Sequence, residues 1–312
     1  MSGTQGTHVR ELARGLRFPE GPIAMDDGSV VLVEIARGTL TRVREDGGVE
    51  VIAELGGGPN GAAIGPDGRI YVCNNGGFVW HERDGLLYPG EQPPDYSGGR
   101  IERVDPATGT VETLYTECDG VPLRGPNDLV FDRSGGFWFT DHGKTRPHDR
   151  DRTGVCYAAA DGSRIERVIF PLEGPNGVGL SPEEDALYVA ETLTGRVWEW
   201  ALDGPGRLRA QRRDRPDGGR LLPAPPGYLL YDSLAVDAAG RVCVATLVQG
   251  GITVIDPKRN TAELRPMDDV LTTNLCFGGE GLRTAYVTLS TTGRLVSLAW
   301  DEAGLPLNFH QR

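Results

Sequence analysis

A short unit recurs along the chain: an apolar run, a turn built from Asp, Gly or Glu, and a second apolar run rich in Val and Tyr. Stacked on one another, the segments FPEGPIAMDDGSVVLVEI, GPNGAAIGPDGRIYVCNN, GPNDLVFDRSGGFWFTDH, GPNGVGLSPEEDALYVAET, LYDSLAVDAAGRVCVATL and TTNLCFGGEGLRTAYVTLS all carry it. Apolar runs on either side of a polar turn predict a β-hairpin. After several hairpins comes a second pair of strand-like runs, as in GRIERVDPATGTVETLY and GGITVIDPKRNTAEL, where a DP turn sits between alternating residues. Six such units in 312 residues average roughly 52 residues, near the ~40–50 of propeller blades once loops are added. The pattern predicts an all-β chain: a six-bladed β-propeller with about four antiparallel strands per blade, occupying residues 1–312 as one domain. Uneven spacing and the lack of a recurring 3.6-residue period argue against a solenoid.

Two insertions interrupt the spacing of the hairpins, at 81–99 (HERDGLLYPGEQPPDYSGG) and 211–228 (QRRDRPDGGRLLPAPPGY). Long loops rich in Pro, Gly and charge serve as lids or binding loops, or as solvated decoration. The 45 Gly and 22 Pro fit an architecture of many short elements and tight turns.

Charge narrows the partner. A net charge of -12 opposes capture of nucleic acid phosphates and of an anionic membrane surface, which leaves a small molecule. No apolar run reaches the ~20 residues needed to span a bilayer, and MSGTQGTHVRELARGL lacks the apolar stretch of a secretory signal. The cysteines, Cys73, Cys118, Cys156, Cys243 and Cys276, are odd in number and mostly set in apolar strand-like runs. They read as buried thiols in a reducing, cytoplasmic protein.

The first strand of every propeller blade lines the central channel, so residues at one place in each repeat converge in space. Here they are Glu20, Asn60, Asn127, Asn176, Asp232 and Thr273. Such a ring offers oxygen donors and no His or Cys, the donor chemistry of a hard cation and of calcium before zinc. Asn-Gly and Asp-Ser pairs also suit turns, but turns do not call for Glu20. A further polar layer stands where the second strands end, at Glu34, Asn74, Asp141, Glu191 and Thr246. Those residues either orient the ring or are ordinary strand-end polar groups. His142 is the histidine near a channel end; it is either structural or a substrate contact.

EGPIAMDDGSVVLVEI, GPNDLVFDRSGGFWFTD, PNGVGLSPEEDALYVAET and DSLAVDAAGRVCVAT resemble the gluconolactonase and regucalcin family of metal-dependent propeller hydrolases over nearly the whole chain. The resemblance implies that Glu20, Asn176 and Asp232 hold one divalent cation, calcium first and Zn, Mn or Mg as alternatives. Asn127 follows as a fourth ligand or a substrate contact. Asn60, Arg124 and His142 join it as expected substrate contacts. Arg124 lies three residues before Asn127, where sugar-lactonase members carry an Arg two before. The pair Asp232-Ser233 is closer to the staphylococcal lactonase branch than to the Asp-Gly of regucalcins.

The implied reaction is hydrolysis of a small ester, a lactone first. The cation would polarise the carbonyl, and Asp232 would take a proton from the attacking water. No GxSxG elbow, P-loop or dinucleotide fingerprint is present. The rival readings are an organophosphate hydrolase on the same ring, a non-catalytic ligand-binding propeller with a structural metal, and a strictosidine-synthase-like condensing propeller that needs no metal.

Overall fold

A computed structural model describes residues 9–211 and 213–310. His8 and Arg212, the latter within the second insertion, lie outside that range. The hairpins form as the sequence predicts, and six antiparallel sheets result, each built around four strands. Blade 1 comprises Pro19–Ala24, Val30–Glu34, Thr39–Val43 and Val49–Glu54. Blade 2 comprises Pro59–Ile64, Ile70–Asn74, Arg100–Val104 and Val111–Tyr115, and blade 3 Pro126–Phe131, Gly136–Asp141, Thr153–Ala159 and Ile165–Leu172. Blade 4 runs Pro175–Leu180, Ala186–Glu191, Arg196–Gly204 and Arg207–Leu208, and blade 5 Leu230–Val236, Val242–Leu247, Gly251–Asp256 and Thr261–Pro266. Blade 6 takes Thr272–Gly278, Thr284–Leu289 and Arg294–Ala299 from the end of the chain and its outermost strand, Arg10–Arg14, from the beginning.

The first strand of each blade touches that of the next, and the sixth touches the first, so the ring closes. Burial falls from the axis outward: Pro175–Leu180 is buried throughout, whereas Val49–Glu54 is largely exposed. Apolar side chains fill the spaces between consecutive blades. Ile23, Val31 and Val72 meet between blades 1 and 2, Phe131, Phe139 and Tyr71 between 2 and 3, and Trp138, Leu187 and Trp200 between 3 and 4. Leu234 and Val197, Leu275 and Cys243, and Leu32 and Leu295 fill the remaining three. Stability is thus spread over six interblade layers instead of one centre. All five cysteines are buried free thiols. No helix among the described residues is long and apolar enough to cross a membrane.

The two insertions, alike in composition, fold onto different places. The first pairs Trp80–Arg83 with Leu86–Pro89 and lies over the face where the inner strands begin. Trp80 stacks on Phe18 at 5.1 Å, and Leu87 packs beside Phe18 and Ile35 while its N–H donates to Thr291 of blade 6 at 3.1 Å. Further along, Gln92 N–H donates to the Thr145 carbonyl of blade 3 at 2.9 Å. The segment therefore straps the mouth of the channel from blade 6 to blade 3. The second covers the edge of blade 4: Arg220–Leu221 pairs with the third strand, Arg213 and Arg220 bind Glu199, and Arg215 stacks on Trp198 and Trp200.

Candidate functional site

At the start of every inner strand the pairing to the second strand skips, between Glu20 and Ile23, Pro59 and Ala62, Pro126 and Leu129, Pro175 and Val178, Tyr231 and Leu234, and Thr272 and Asn274. A bulge re-aims the side chains that it carries; Asn60, Asn127, Asn176, Asp232 and Thr273 lie inside these bulges, and Glu20 is the last paired residue before the first of them. Glycine makes the crowding possible. A Cβ at Gly21 would lie 2.5 Å from the Asn60 carbonyl, one at Gly61 2.5 Å from the Asn127 carbonyl, and one at Gly177 2.8 Å from the Asp232 carbonyl. The residue after each of these ring positions therefore has to be Gly for adjacent blades to close at the axis.

Glu20, Asn60, Asn127 and Asn176 are buried, and Asp232 is half-buried. The carboxyls of Glu20, Asp128 and Asp232 interact with one another, and no Lys or Arg forms an ion pair with any of them among the described residues. Burial pushes Glu20 up to about 7, against hydrogen bonds from Asn274, Gly21 and Thr273. Asp128 is pushed up to about 8 by burial and then by Glu20. Asp232 lies well above the ordinary carboxylate range through burial, then Glu20, with Asn176 opposing. Asn274 Nδ2 and the Gly21 N–H both donate to Glu20 Oε2, at 2.7 and 2.8 Å. Asn176 Nδ2 donates to Thr192 Oγ1 at 3.1 Å, and Ser233 Oγ donates to Asn176 Oδ1 at 3.4 Å. The Asn127 Oδ1 is buried without a hydrogen-bond partner among the described residues.

Thr273 plays a different part from the other ring positions. Its hydroxyl meets Thr288 and Ser290 in the wall of blade 6, at 3.0 and 2.5 Å, and the following residue, Asn274, faces Glu20 instead. Asp128 is the functional candidate that the sequence reading missed. The signal was present: the residue after the ring position is Gly in FPEG, GPNG and the second GPNG but a carboxylic acid in GPND.

The strand-end layer does not touch the ring side chains; it holds the turn that leads into each inner strand. Glu34 accepts from the Arg17 N–H at 2.6 Å, Asn74 from Gly58 at 2.9 Å, Asp141 from Arg124 and Gly125 at 2.9 and 2.7 Å, and Glu191 from Glu173 at 2.8 Å. Thr246 breaks the pattern by bonding Thr253 within its own blade, at 2.7 Å.

His142 sits between the turns that carry Asn127 and Asn176. Its N–H donates to the Gly125 carbonyl at 2.8 Å, and its ring lies against Gly174. Burial, with the charges of Arg150 and Lys144, pushes it down to about 3, so the imidazole is neutral, and its Nδ1 has no partner. Two residues on, the buried Lys144 fastens the strap: Nζ donates to Asn75 Oδ1 at 2.9 Å and the Gly77 carbonyl at 2.6 Å, 3.8 Å from the Phe78 ring centroid. Burial pushes this amine down to about 7. Arg124 lines a different pocket. Its carbonyl accepts from Tyr96 of the strap at 2.5 Å, its charge acts on Asp151, and with Asp151, Thr153 and Arg167 it lines a pocket that includes none of the ring residues.

The SMP-30/Gluconolactonase/LRE-like region matches residues 18–291 of this chain, the whole ring included. The chain belongs to that family. Within it, the Zymomonas mobilis gluconolactonase is 27% identical, over 91% of this chain and 79% of its own. The lactonase drp35 of Staphylococcus haemolyticus is 30% identical, over 77% of this chain and 66% of its own. A calcium-binding protein, regucalcin, from Agrobacterium tumefaciens superposes with a TM-score of 0.75 at 18% identity, covering 98% of both chains, which shows the shared fold.

The ring's chemistry suits the cation that the family resemblance implies. Among the described residues no group of three or more His, Cys, Asp and Glu side chains forms a metal cluster, so a cation would draw on amide oxygens as well as carboxylates. The donors available would match this need: Glu20 and Asp232 could supply charge, and Asn127 and Asn176 amide oxygens, that of Asn127 without a hydrogen-bond partner among the described residues. Oxygen-only donors with two carboxylates favour a hard cation.

Proposed function

We propose that the chain is a lactone hydrolase that holds one divalent cation, calcium first, at Glu20, Asn127, Asn176 and Asp232. One observation carries the reading: the carboxyls of Glu20, Asp128 and Asp232 act on one another with no ion-paired basic side chain among the described residues, beside a buried amide oxygen that has no hydrogen-bond partner among them. Buried like charges are unfavourable unless something compensates them. The gluconolactonase and lactonase relatives supply the substrate class.

The cation, when bound, supplies Lewis-acid polarisation of an ester carbonyl and lowers the pKa of a bound water. The remaining work falls to side chains of this chain. Asp232, open to the channel, takes the proton from the attacking water. Asn60 and the neutral His142 contact the substrate's oxygens, and Asp128, pushed up by burial and by Glu20, stands as a third carboxyl beside Glu20 and Asp232. The strap built on the 81–99 insertion keeps bulk water from the mouth. The domain is proposed to act as one unit over 1–312.

Metal analysis of the purified protein, chelation, and a panel of lactones test this reading. Turnover lost on chelation and regained with calcium supports it, as does loss of both metal and turnover in Asp232→Ala. Metal-loaded protein that turns over no lactone overturns it. A fluorophosphate assay run beside the panel reports whether the same ring acts on phosphorus esters.

A further inference from the structure

Beside blade 3 lies a pocket of about 260 Å³, separate from the ring, between the 121–124 turn and the strands Thr153–Ala159 and Ile165–Leu172. Its basic side chains are Arg124, Arg152 and Arg167. Arg152 pairs with Glu173 at 3.5 Å. The guanidiniums of Arg124 and Arg167 form no hydrogen bond or ion pair with any other described residue, although most other described Arg side chains do; the Arg124 charge acts on Asp151, and Arg167 lies over Phe170, 5.3 Å from its centroid. Thr153, 6% exposed, also lines the pocket, and its Oγ1 has no hydrogen-bond partner.

The acids in the wall are already engaged. Asp141 accepts the N–H groups of Arg124, Gly125 and Gly143. Asp151 accepts two nitrogens of Arg146 and the Lys144 N–H. What the pocket leaves open is therefore donors: two guanidinium forks and a buried hydroxyl. Guanidinium forks match carboxylate and phosphate oxygens bidentately, and a buried hydroxyl without a partner is unfavourable until one arrives.

We propose that this pocket binds a small oxyanion, a carboxylate, sulfate or phosphate group, held by Arg124 and Arg167 with Thr153 Oγ1 donating. Arg124 shares the carboxylate of Asp141 with Gly125 and lies three residues before Asn127, so a bound anion also steadies the turn that presents Asn127 to the ring. The site stands independently of the reaction proposed for the ring.

The probe is sodium sulfate against sodium chloride at equal ionic strength, read by thermal unfolding and by isothermal titration. Saturable sulfate binding, with a rise in Tm of about 2–4 °C at ten times the dissociation constant, is expected for the wild type. Arg167→Gln, on a half-exposed outer strand, and Thr153→Val should both fold with wild-type Tm in chloride and lose affinity by about tenfold or more. A sulfate effect equal in wild type and Arg167→Gln reflects general salting-out and overturns the proposal, as does the absence of a sulfate effect. Two further arms identify the source. A preference for a lactone carrying a carboxylate or phosphate over its neutral homologue, abolished in Arg167→Gln, assigns the site to the substrate. Sulfate binding without that preference assigns it to a free anion.

Discussion

The two ends of the channel are built from the same six strands and differ in almost every property. At the mouth, Glu20, Asn127, Asn176 and Asp232 stand at bulges with carboxyls forced together. Two residues further along, Leu129, Val178, Leu234 and Leu275 line a cavity of about 830 Å³, whose lining also takes in Asp128, Asn274 and residues of the C-terminal tail from Ala303 on. Asn308 ties that tail to the Phe131 carbonyl at 3.1 Å and to Glu184 at 2.6 Å. The difference teaches that the mouth crowds like charges that are unfavourable unless something compensates them, whereas two residues on, the same strands turn apolar and join the layers packed between blades. Substitutions at the two ends should then have opposite signatures.

The largest contrast is expected at Asp232. Asp232→Ala should lower kcat/KM for a lactone by roughly 10³-fold, the scale seen when a group acting only in the transition state is lost. It should also raise the chemical stability of the cation-free protein, because one of three crowded carboxyls is gone. Urea unfolding in chelator, beside the activity assay, checks both. A variant that loses stability as well as activity would erase the distinction between the ends.

Leu275→Ala probes the opposite end. Leu275 is 2% exposed and packs between blades 5 and 6. Its truncation should cost about 2–4 kcal/mol and leave kcat/KM per folded molecule unchanged. A fall in kcat/KM at full folding would mean that the lower channel takes part in the reaction.

Asn127→Leu removes the unpartnered oxygen at nearly constant volume. It should weaken cation binding by about 10–100-fold, read by calcium titration calorimetry, with little loss of folding stability, since no hydrogen bond within the chain is broken. Equal affinity would place the cation elsewhere on the ring.

How much of this contrast the sequence shows depends on whether the residues involved repeat. Ring positions were legible because the hairpins align and put Glu20, Asn60, Asn127, Asn176 and Asp232 at one place in each. Asp128 was hidden by the same alignment, since its position reads as a turn glycine in three other repeats. The closing strand Arg10–Arg14 has few apolar residues and pairs with Arg294–Ser297 at the far end of the chain, a contact that no local pattern encodes. The two insertions share Pro, Gly and charge. What separates them is aromatic content, with Trp80, Tyr88 and Tyr96 in and beside the strap and Arg213, Arg215 and Arg220 in the edge cover. Lys144 and Arg124 could not be placed without knowing where the strap lands.

The smallest effect is expected at His142, and it is one of pH. The imidazole is held neutral down to about 3, whereas in the unfolded chain it titrates near 6.5. Between those values the unfolded state binds the extra proton, so stability rises with pH through this window and the contribution is complete above about 6.5. On the acid side Arg150 and Lys144 oppose protonation, and the Pro175 carbonyl favours it. His142→Gln cannot titrate and should lose that part of the rise, so its urea midpoint at pH 7 minus that at pH 4 should be smaller, in sign, than the wild-type value. The mouth's carboxyls change in the opposite sense over the same range: with pKa values raised above the unfolded ones, Glu20 and Asp128 favour the cation-free fold at low pH and lose that advantage as pH climbs through about 7 and 8. Repeating the pair of measurements in Glu20→Gln separates the two slopes. If the midpoint difference is the same with and without His142, the imidazole is not enclosed as its contacts with Gly125 and Gly174 require.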